Sequence, residues 1–133
     1  MQQGQSSATP VVLIVESDVL LRLVTATNLR DAGFEVIEAA NCAEAFRLLN
    51  NIPVDVLFSA LDTPGTTDGL ALAQWVHRSR VDTRIVLTSR TAGGLGGAKE
   101  FASFLRKPYA NNDVEHLLRS VLPELPSTAG HLP

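Results

Sequence analysis

The side chains that could carry chemistry in this sequence share one feature: each stands at or just after the end of an apolar segment. They include carboxylates, hydroxyls and one ammonium group. Oppositely charged groups of these types can form an ion pair or hold a charged ligand when the fold brings them together. The candidates are Glu16, Ser17, Asp18, Asp62, Thr88, Ser89 and Lys107. Their function therefore depends on the elements that end at these positions.

Five segments have the apolar, β-branched composition of strands, and continuous runs of this kind suit strands that are buried on both faces. These predicted strands cover residues 11–15, 34–38, 54–60, 84–88 and 102–105. Helical patterns follow four of them, and they cover residues 19–32, 41–49, 68–79 and 112–121. Gly33 marks the end of the first helix, and Asn41 with Glu44 three residues later resembles a capping box.

This alternation of strands and helices predicts one α/β domain, in which helices cover both faces of a parallel sheet. In such a sheet the functional crevice lies beyond the carboxyl ends of the strands. We therefore expect the candidate side chains to meet in one crevice, together with Ala60 at the end of the third strand.

The composition of the chain excludes several classes of function. With 133 residues, of which 45% are hydrophobic, the chain fits a single domain with one core. A net charge of −3 provides no basic surface for nucleic acid or for a membrane. No apolar run approaches the roughly 20 residues that span a bilayer. Cys42 is the only cysteine, which excludes an intramolecular disulfide and favours a cytoplasmic location.

Two further segments carry expectations about shape and assembly. Residues 91–99 contain four glycines where a fourth helix would stand. Each glycine costs about 1 kcal/mol relative to alanine in a helix, so we expect this helix to be short, displaced or poorly ordered. In the last helix, Leu117, Leu118 and Val121 predict a homodimer through that helix if some of them remain exposed.

Four segments, in this order and spacing, resemble the receiver domains of bacterial response regulators over about residues 10 to 122. Residues 13–22 resemble the family's opening strand and acidic loop, and residues 55–69 resemble its phosphorylation strand with the loop that follows. Residues 87–89 resemble the switch strand, and residues 104–109 resemble the final strand with its lysine and proline. The resemblance implies a flavodoxin-like, doubly wound (βα)5 fold with a five-stranded parallel sheet in the order 2-1-3-4-5.

The resemblance also implies a reaction and the groups that perform it. An aspartate at the end of the third strand attacks a phosphoryl donor, and two acidic groups after the first strand hold Mg²⁺. A lysine pairs with the phosphoryl oxygens, and a Ser or Thr hydroxyl closes over them. Lys107 and Thr88 match the lysine and the hydroxyl, while Phe104 and Pro108 match the switch aromatic and the proline after the lysine.

The sequence departs from the family at the positions that carry this reaction. Ala60 stands at the attacking position, and a methyl group can neither attack phosphorus nor ligate a metal. One of the two acidic positions after the first strand is kept by Glu16, and the other is taken by Ser17. What remains is a vestigial acidic pocket of Glu16, Ser17, Asp18 and Asp62. We therefore expect a degenerate receiver that is not phosphorylated on an aspartate.

Most of the retained residues also have a plainer structural interpretation. Asp18 is a preferred N-cap type for the first helix, and Glu16 can form an ion pair with Lys107. Both carboxylates are only weak candidates for metal ligands, so we expect no cofactor and at most weak Mg²⁺ binding. Thr88 suits a strand because it is β-branched, and Phe104 suits plain core packing. The peptide bond between Lys107 and Pro108 is expected to be cis by the same resemblance.

These observations predict an atypical receiver domain that acts in phosphorelay signalling through protein–protein interaction, and not as an enzyme. The expected partner is a signalling protein such as a histidine kinase or an output domain, with no nucleic acid and no membrane involved. The contact surface would be built from the fourth helix, fifth strand and fifth helix, or from the first helix. Residues 1–10 are expected to form a disordered arm, 11–122 the receiver domain, and 123–133 a flexible tail.

Two other functions stay open from the sequence. A catalytically live receiver would use Asp62 as a substitute acceptor, with Glu16 and Asp18 around Mg²⁺, although Pro64-Gly65 indicates a turn there. A flavodoxin-like flavin binder would share the fold, but its first loop should offer small residues to a phosphate. Glu16 and Asp18 would instead repel that phosphate.

Overall fold

A parallel five-stranded sheet forms the centre of the computed structural model, which describes residues 9–62, 69–91 and 95–123. The strands are β1 (Val11–Val15), β2 (Glu35–Ala39), β3 (Val56–Ala60), β4 (Arg84–Ser89) and β5 (Ala102–Arg106). They lie in the order β2-β1-β3-β4-β5, so the predicted fold class and strand order are confirmed. Most of the expected arm and tail, residues 1–8 and 124–133, lies outside the described residues.

Among the described residues, three α-helices and one short 3-10 helix lie between the strands, and a fourth α-helix follows the last strand. The α-helices are α1 (Val19–Asp31), α2 (Cys42–Asn51), α3 (Gly69–Ser79) and α4 (Asn111–Val121). The strands and the α-helices begin and end within two residues of their predicted bounds. No helix in the described part of the chain is long and apolar enough to cross a membrane.

The connection between β4 and β5 differs from a complete (βα)5 pattern. In place of a fourth α-helix, the described residues form a 3-10 helix over Gly96–Glu100. Gly96 has a φ of +54°, a left-handed conformation that glycine adopts without steric cost. The expectation of a short helix in this glycine-rich segment is confirmed, while residues 92–94 lie outside the described part of the chain.

Side chains on the two faces of the sheet form two apolar clusters, one beneath each layer of helices. In β1, Val12 and Ile14 pack on the side of α1 and α4, whereas Leu13 and Val15 pack on the side of α2 and α3. None of the four is more than 1% exposed. This burial on both faces explains why the strand is a continuous apolar run rather than an alternating one.

Side-chain caps fix where α1 and α2 begin, at the carboxyl ends of the strands. Asp18 accepts a hydrogen bond from the backbone N–H of Leu21 (3.1 Å), which confirms it as the N-cap of α1. Asn41 accepts a hydrogen bond from the N–H of Glu44 (2.9 Å), and the Glu44 carboxylate accepts one from the N–H of Ala40 (2.7 Å). The predicted capping of α2 is therefore confirmed.

The apolar side chains of the last helix turn toward the core. Leu118 is fully buried, and Leu117 and Val121 are partly buried against the cluster beneath α1 and α4. The condition for a dimer through this helix, exposed apolar side chains, is not met, because the sheet and α1 take up this face. Homodimerisation stays a prediction, and exposed apolar side chains on the last helix do not support it.

Gly69 brings the first turn of α3 against the end of β3. A Cβ atom at this position would lie 2.5 Å from the carbonyl oxygen of Ala60 and 2.9 Å from the Cα of Leu61. Both are backbone atoms, so neither can rotate away as the end of a side chain could. The close approach of α3 to the crevice therefore requires glycine at this position.

Replacing Gly69 with alanine is expected to lower the free energy of unfolding by about 1–3 kcal/mol, because the backbone of β3 or α3 must shift. Gly97→Ala is the matched control, since a Cβ there would meet no atom within 4 Å. It should change stability by no more than about 0.5 kcal/mol. Urea unfolding of both variants measures the difference. Equal effects at the two positions would argue against the close approach.

Candidate functional site

The crevice beyond the carboxyl ends of β1, β3, β4 and β5 contains five of the predicted site residues in buried positions. These are Glu16, Ala60, Thr88, Ser89 and Lys107, and none is more than 6% exposed. Ala60 lies opposite Thr88 in the register of β3 and β4. The backbone N–H of Leu61 donates to the carbonyl oxygen of Thr88 (2.8 Å), so the two strands stay paired up to the crevice.

The ammonium group of Lys107 is paired with carboxylates inside this crevice. Its Nζ lies 2.7 Å from Oε1 of Glu16, and the two side chains are only 5% and 7% exposed. Asp62 makes a second, longer contact, with its Oδ1 3.6 Å from the same Nζ and its side chain 42% exposed. The predicted ion pair between Glu16 and Lys107 is therefore confirmed. The protein itself supplies the counter-charge that the buried ammonium needs.

Several hydrogen bonds hold Glu16 in this position. Its Oε2 accepts from the backbone N–H of Asp18 (3.0 Å), and its carbonyl oxygen accepts from Nη1 of Arg22 (2.8 Å). The Nε of Arg22 also lies 3.2 Å from the carboxylate of Glu38, which forms a second ion pair with Arg30 at 3.2 Å. The sequence analysis did not predict this network. Arg22 and Arg30 are eight residues apart in α1, a spacing that places two side chains on one face of a helix.

The donor set of the crevice does not fit Mg²⁺, which needs several hard oxygen ligands. Glu16 is engaged by an ammonium group 2.7 Å away, and the Asp18 carboxylate caps α1. Ser17, which is partly buried between them, and Ala60 supply no carboxylate. Among the described residues, no three His, Cys, Asp or Glu side chains are grouped to hold a metal. At most weak Mg²⁺ binding stays a prediction.

Tyr109 lies beside the crevice and was not among the predicted site residues. Its hydroxyl is 3.3 Å from the hydroxyl of Thr25 on α1, and its ring meets Phe58 edge to face, with centroids 5.8 Å apart. Burial raises the pKa of Tyr109, the nearby charges of Glu16 and Asp18 raise it further, and the contact with Thr25 opposes the shift. The only signal in the sequence was its place directly after Lys107 and Pro108.

The residues on the switch side of the crevice have ordinary structural roles. Phe104 on β5 is partly buried and packs against the cluster beneath α2 and α3, in agreement with the core-packing interpretation. The peptide bond between Lys107 and Pro108 is cis, as the resemblance implied. The hydroxyl of Ser89 accepts a hydrogen bond from the N–H of Thr91 (3.2 Å). A switching role for Phe104 stays a prediction.

Breaking the buried ion pair is expected to destabilise the protein strongly. Lys107→Met leaves the Glu16 carboxylate without its main counter-charge, and Glu16→Gln does the same to the ammonium, at a cost of about 3–5 kcal/mol each. The double variant should lose less than the sum, because it leaves no unpaired charge behind.

Asp62→Asn is the matched control for these variants. It should cost less than about 1 kcal/mol, since the Asp62 side chain is 42% exposed and its contact with Lys107 is longer. Urea unfolding of the four variants gives the coupling energy directly. Strictly additive effects of Lys107→Met and Glu16→Gln would refute the pairing.

Alkaline titration tests the environment of Tyr109. Because it is the only tyrosine in the chain, tyrosinate absorbance reports on it alone, and the midpoint should lie above the ordinary pKa of about 10. Its contribution to stability is fully present below about pH 10 and is lost as the pH rises through the raised pKa, because the unfolded chain releases this proton first. Tyr109→Phe should flatten that part of the stability profile. A midpoint at or below 10 would show that the phenol is not buried.

Sequence comparison with known proteins identifies a family and two relatives. A family model of the response regulator receiver domain matches residues 12–119. The two-component response regulator-like protein APRR7 of Arabidopsis thaliana is 28% identical over 126 residues, which cover 90% of this chain. The phosphate regulon transcriptional regulatory protein PhoB of Pseudomonas aeruginosa is 27% identical over 117 residues, which cover 84% of this chain. The matches span only 17% and 51% of the lengths of these two curated relatives.

Solved structures agree with the family model. The chemotaxis response regulator CheY4 of Vibrio cholerae superposes with a TM-score of 0.78 at 25% identity, over 86% of this chain and 100% of that one. A CheY-like receiver domain protein of Methanospirillum hungatei gives 0.78 at 20% identity, over 85% and 93% of the two chains, and shows the fold alone. Receiver domains are generally non-enzymatic modules that interact with kinases and output domains. Since the family model matches most of its length, this chain belongs to the response regulator receiver domain family of two-component signalling.

Proposed function

We propose that this chain is an atypical receiver domain that works in phosphorelay signalling through protein–protein interaction, without phosphorylation of an aspartate. The observation that carries this proposal is the methyl group of Ala60. It lies at the buried carboxyl end of β3, beside Thr88, at the position that the resemblance gives to the attacking carboxylate. A methyl group offers no electron pair to phosphorus, so the ordinary acyl phosphate cannot form there.

The pairing of Lys107 supports the same proposal. In the reaction that the resemblance implies, this lysine stabilises phosphoryl oxygens. Here Glu16 already lies 2.7 Å from its Nζ, and both side chains are nearly buried. A phosphoryl group at this place would have to displace a buried carboxylate and leave its charge unpaired, which is costly. The crevice is thus stable in one arrangement without a phosphoryl group.

A live receiver that uses Asp62 as its acceptor is the alternative, and one observation favours it. The Asp62 carboxylate is 42% exposed and lies 3.6 Å from the ammonium of Lys107, so a phosphodonor could reach it beside a cation. Against this alternative, the residues that the structure describes contain no group of three His, Cys, Asp or Glu side chains that could hold Mg²⁺, whose charge would assist the transfer. Membership of the receiver family argues against the flavin-binding alternative.

The exposed apolar side of α1 supports a role in protein binding. Its first two turns expose four large apolar side chains, which we call the α1 patch: Val19 (64%), Leu20 (71%), Leu23 (51%) and Val24 (43%). An apolar surface that the fold leaves uncovered is typical of a protein-binding site. The patch carries no charged side chain, so it fits the apolar face of another helix. We assign it to a helix of a histidine kinase or of an output domain.

The same proposal includes a cytoplasmic location and no direct contact with nucleic acid or a membrane surface. A net charge of −3 gives little attraction for phosphate backbones or anionic lipids. The proposed partners are therefore proteins only.

Treatment with acetyl phosphate and Mg²⁺ is expected to leave the intact mass of the protein unchanged. The physical reason is that Ala60 offers no nucleophile and Ser17 removes a metal ligand. Intact-mass spectrometry measures the outcome. A gain of one phosphoryl group that disappears in Asp62→Asn would support the live-receiver alternative instead.

The variant Ala60→Asp/Ser17→Asp is the positive control for that assay. It restores both missing carboxylates beside Thr88 and Lys107, so it should accept a phosphoryl group and be stabilised by Mg²⁺, which binds the folded state. Without metal it should be less stable than the wild type, because crowded carboxylates repel each other. Failure of Mg²⁺ to stabilise this variant more than the wild type would mean that these residues do not converge.

Substitution in the α1 patch tests the proposed surface. Leu20→Glu should change the free energy of unfolding by no more than about 0.5 kcal/mol, because Leu20 is 71% exposed. It should nevertheless weaken binding to a histidine kinase or output domain by about tenfold or more, as measured by surface plasmon resonance against a panel of both classes. Val81→Glu, at an apolar residue that is 74% exposed in the turn after α3, is the control. Equal binding by Leu20→Glu and wild type, or no binding by any member of the panel, would count against this surface.

A further inference from the structure

A second apolar surface lies on the opposite side of the sheet from α1. A groove of about 480 Å³ runs between α2 and α3, and we call it the α2–α3 groove. Its aromatic wall is formed by Phe46 and Trp75, whose ring centroids are 4.7 Å apart. Phe46 is 44% exposed, although it is a large apolar side chain. The small side chains of Ala43 and Ala71 leave the groove open between the helices.

The groove is held open by contacts that need no ligand. The Nε of Arg80 donates to the carbonyl oxygen of Leu49 (3.2 Å), and its Nη2 donates to Oδ1 of Asn50 (3.1 Å). These bonds join the end of α2 to the residue that follows α3. The guanidinium also lies over the Trp75 ring, 5.0 Å from its centroid. A preformed groove loses little conformational entropy when it is filled, which favours binding.

The charge around the α2–α3 groove is positive, in contrast to the acidic chain as a whole. Arg47 lines the groove, and Arg78 is exposed on α3. The only carboxylate in these two helices belongs to Glu44, and it accepts a hydrogen bond from the N–H of Ala40 at the start of α2. An occupant with an acidic side chain would therefore be attracted here, and a basic one repelled.

We propose that the α2–α3 groove binds a short acidic peptide segment of a partner protein. One bulky apolar side chain of the segment packs against Phe46 and Trp75, and a neighbouring carboxylate pairs with Arg47. This site lies across the sheet from the α1 patch and does not involve the crevice. The domain can therefore hold two proteins at once, and the proposal does not depend on the role given to Ala60.

The probe is a phage-displayed library of random peptides, which is selected for binding to the full chain. Enriched peptides should combine a Leu, Ile or Phe with Asp or Glu, and their synthetic versions should change the emission of Trp75, the only tryptophan. Phe46→Ala and Arg47→Glu should each weaken peptide binding and raise the Kd by about tenfold or more. Arg106→Glu is the matched control, because Arg106 is an exposed cation on β5 and belongs to neither helix of the groove, and it should change the Kd by no more than about twofold.

Ala43→Gln provides a further variant that fills the groove and removes no existing contact. It should also weaken binding, and circular dichroism of every variant shows whether the fold is kept. The proposal is overturned if enriched peptides lack acidic residues, if they bind Phe46→Ala and Ala43→Gln as tightly as the wild type, or if selection yields no peptide that changes Trp75 emission.

Discussion

A lysine ammonium buried at the end of a parallel sheet must have an anion within reach, since an unpaired charge there would cost several kcal/mol. The positions of several side chains in the crevice follow from the way this chain provides that anion. Glu16 supplies the anion from the end of β1, and its second carboxylate oxygen accepts the N–H of Asp18, the cap of α1. Arg22, one turn further along α1, holds the carbonyl of Glu16. The ion pair, the loop after β1 and the start of α1 therefore form one connected unit.

This unit connects the crevice to the outer surface of the domain. The α1 patch lies on the same first turns of α1 that Glu16, Asp18 and Arg22 hold in place, so its orientation depends on the ion pair. In a crevice with a full set of carboxylates, like charges raise one another's pKa, and each tenfold gain in proton affinity corresponds to about 1.4 kcal/mol of repulsion. Ala60 and Ser17 remove that repulsion, and Glu16 gives Lys107 a buried partner. In the function proposed above, the domain would present one arrangement of its surface without a chemical step.

The strands and most helix ends could be predicted because their signals are local, namely β-branched runs and caps such as Asp18. The resemblance added the strand order and the residues that meet in the crevice. Features that depend on side-chain direction could not be predicted. Because most residues in the first two turns of α1 are apolar, periodicity does not show which of its leucines face solvent. The contact between Tyr109 and Thr25, and the pairing of Arg22 with Glu38, join distant segments that no local pattern relates.

We infer that the counter-charge of Lys107 is the carboxylate of Glu16 and not a phosphoryl group. Beryllofluoride, which imitates a phosphoryl group on an aspartate, tests this claim without a chemical reaction. The measurement is the backbone amide NMR spectrum before and after addition of beryllofluoride with Mg²⁺. We expect the amide shifts of Thr88, Phe104 and Lys107 to stay unchanged. Shift changes concentrated at these residues and at Asp62 would show that the crevice still accepts a phosphoryl group, and would contradict the claim.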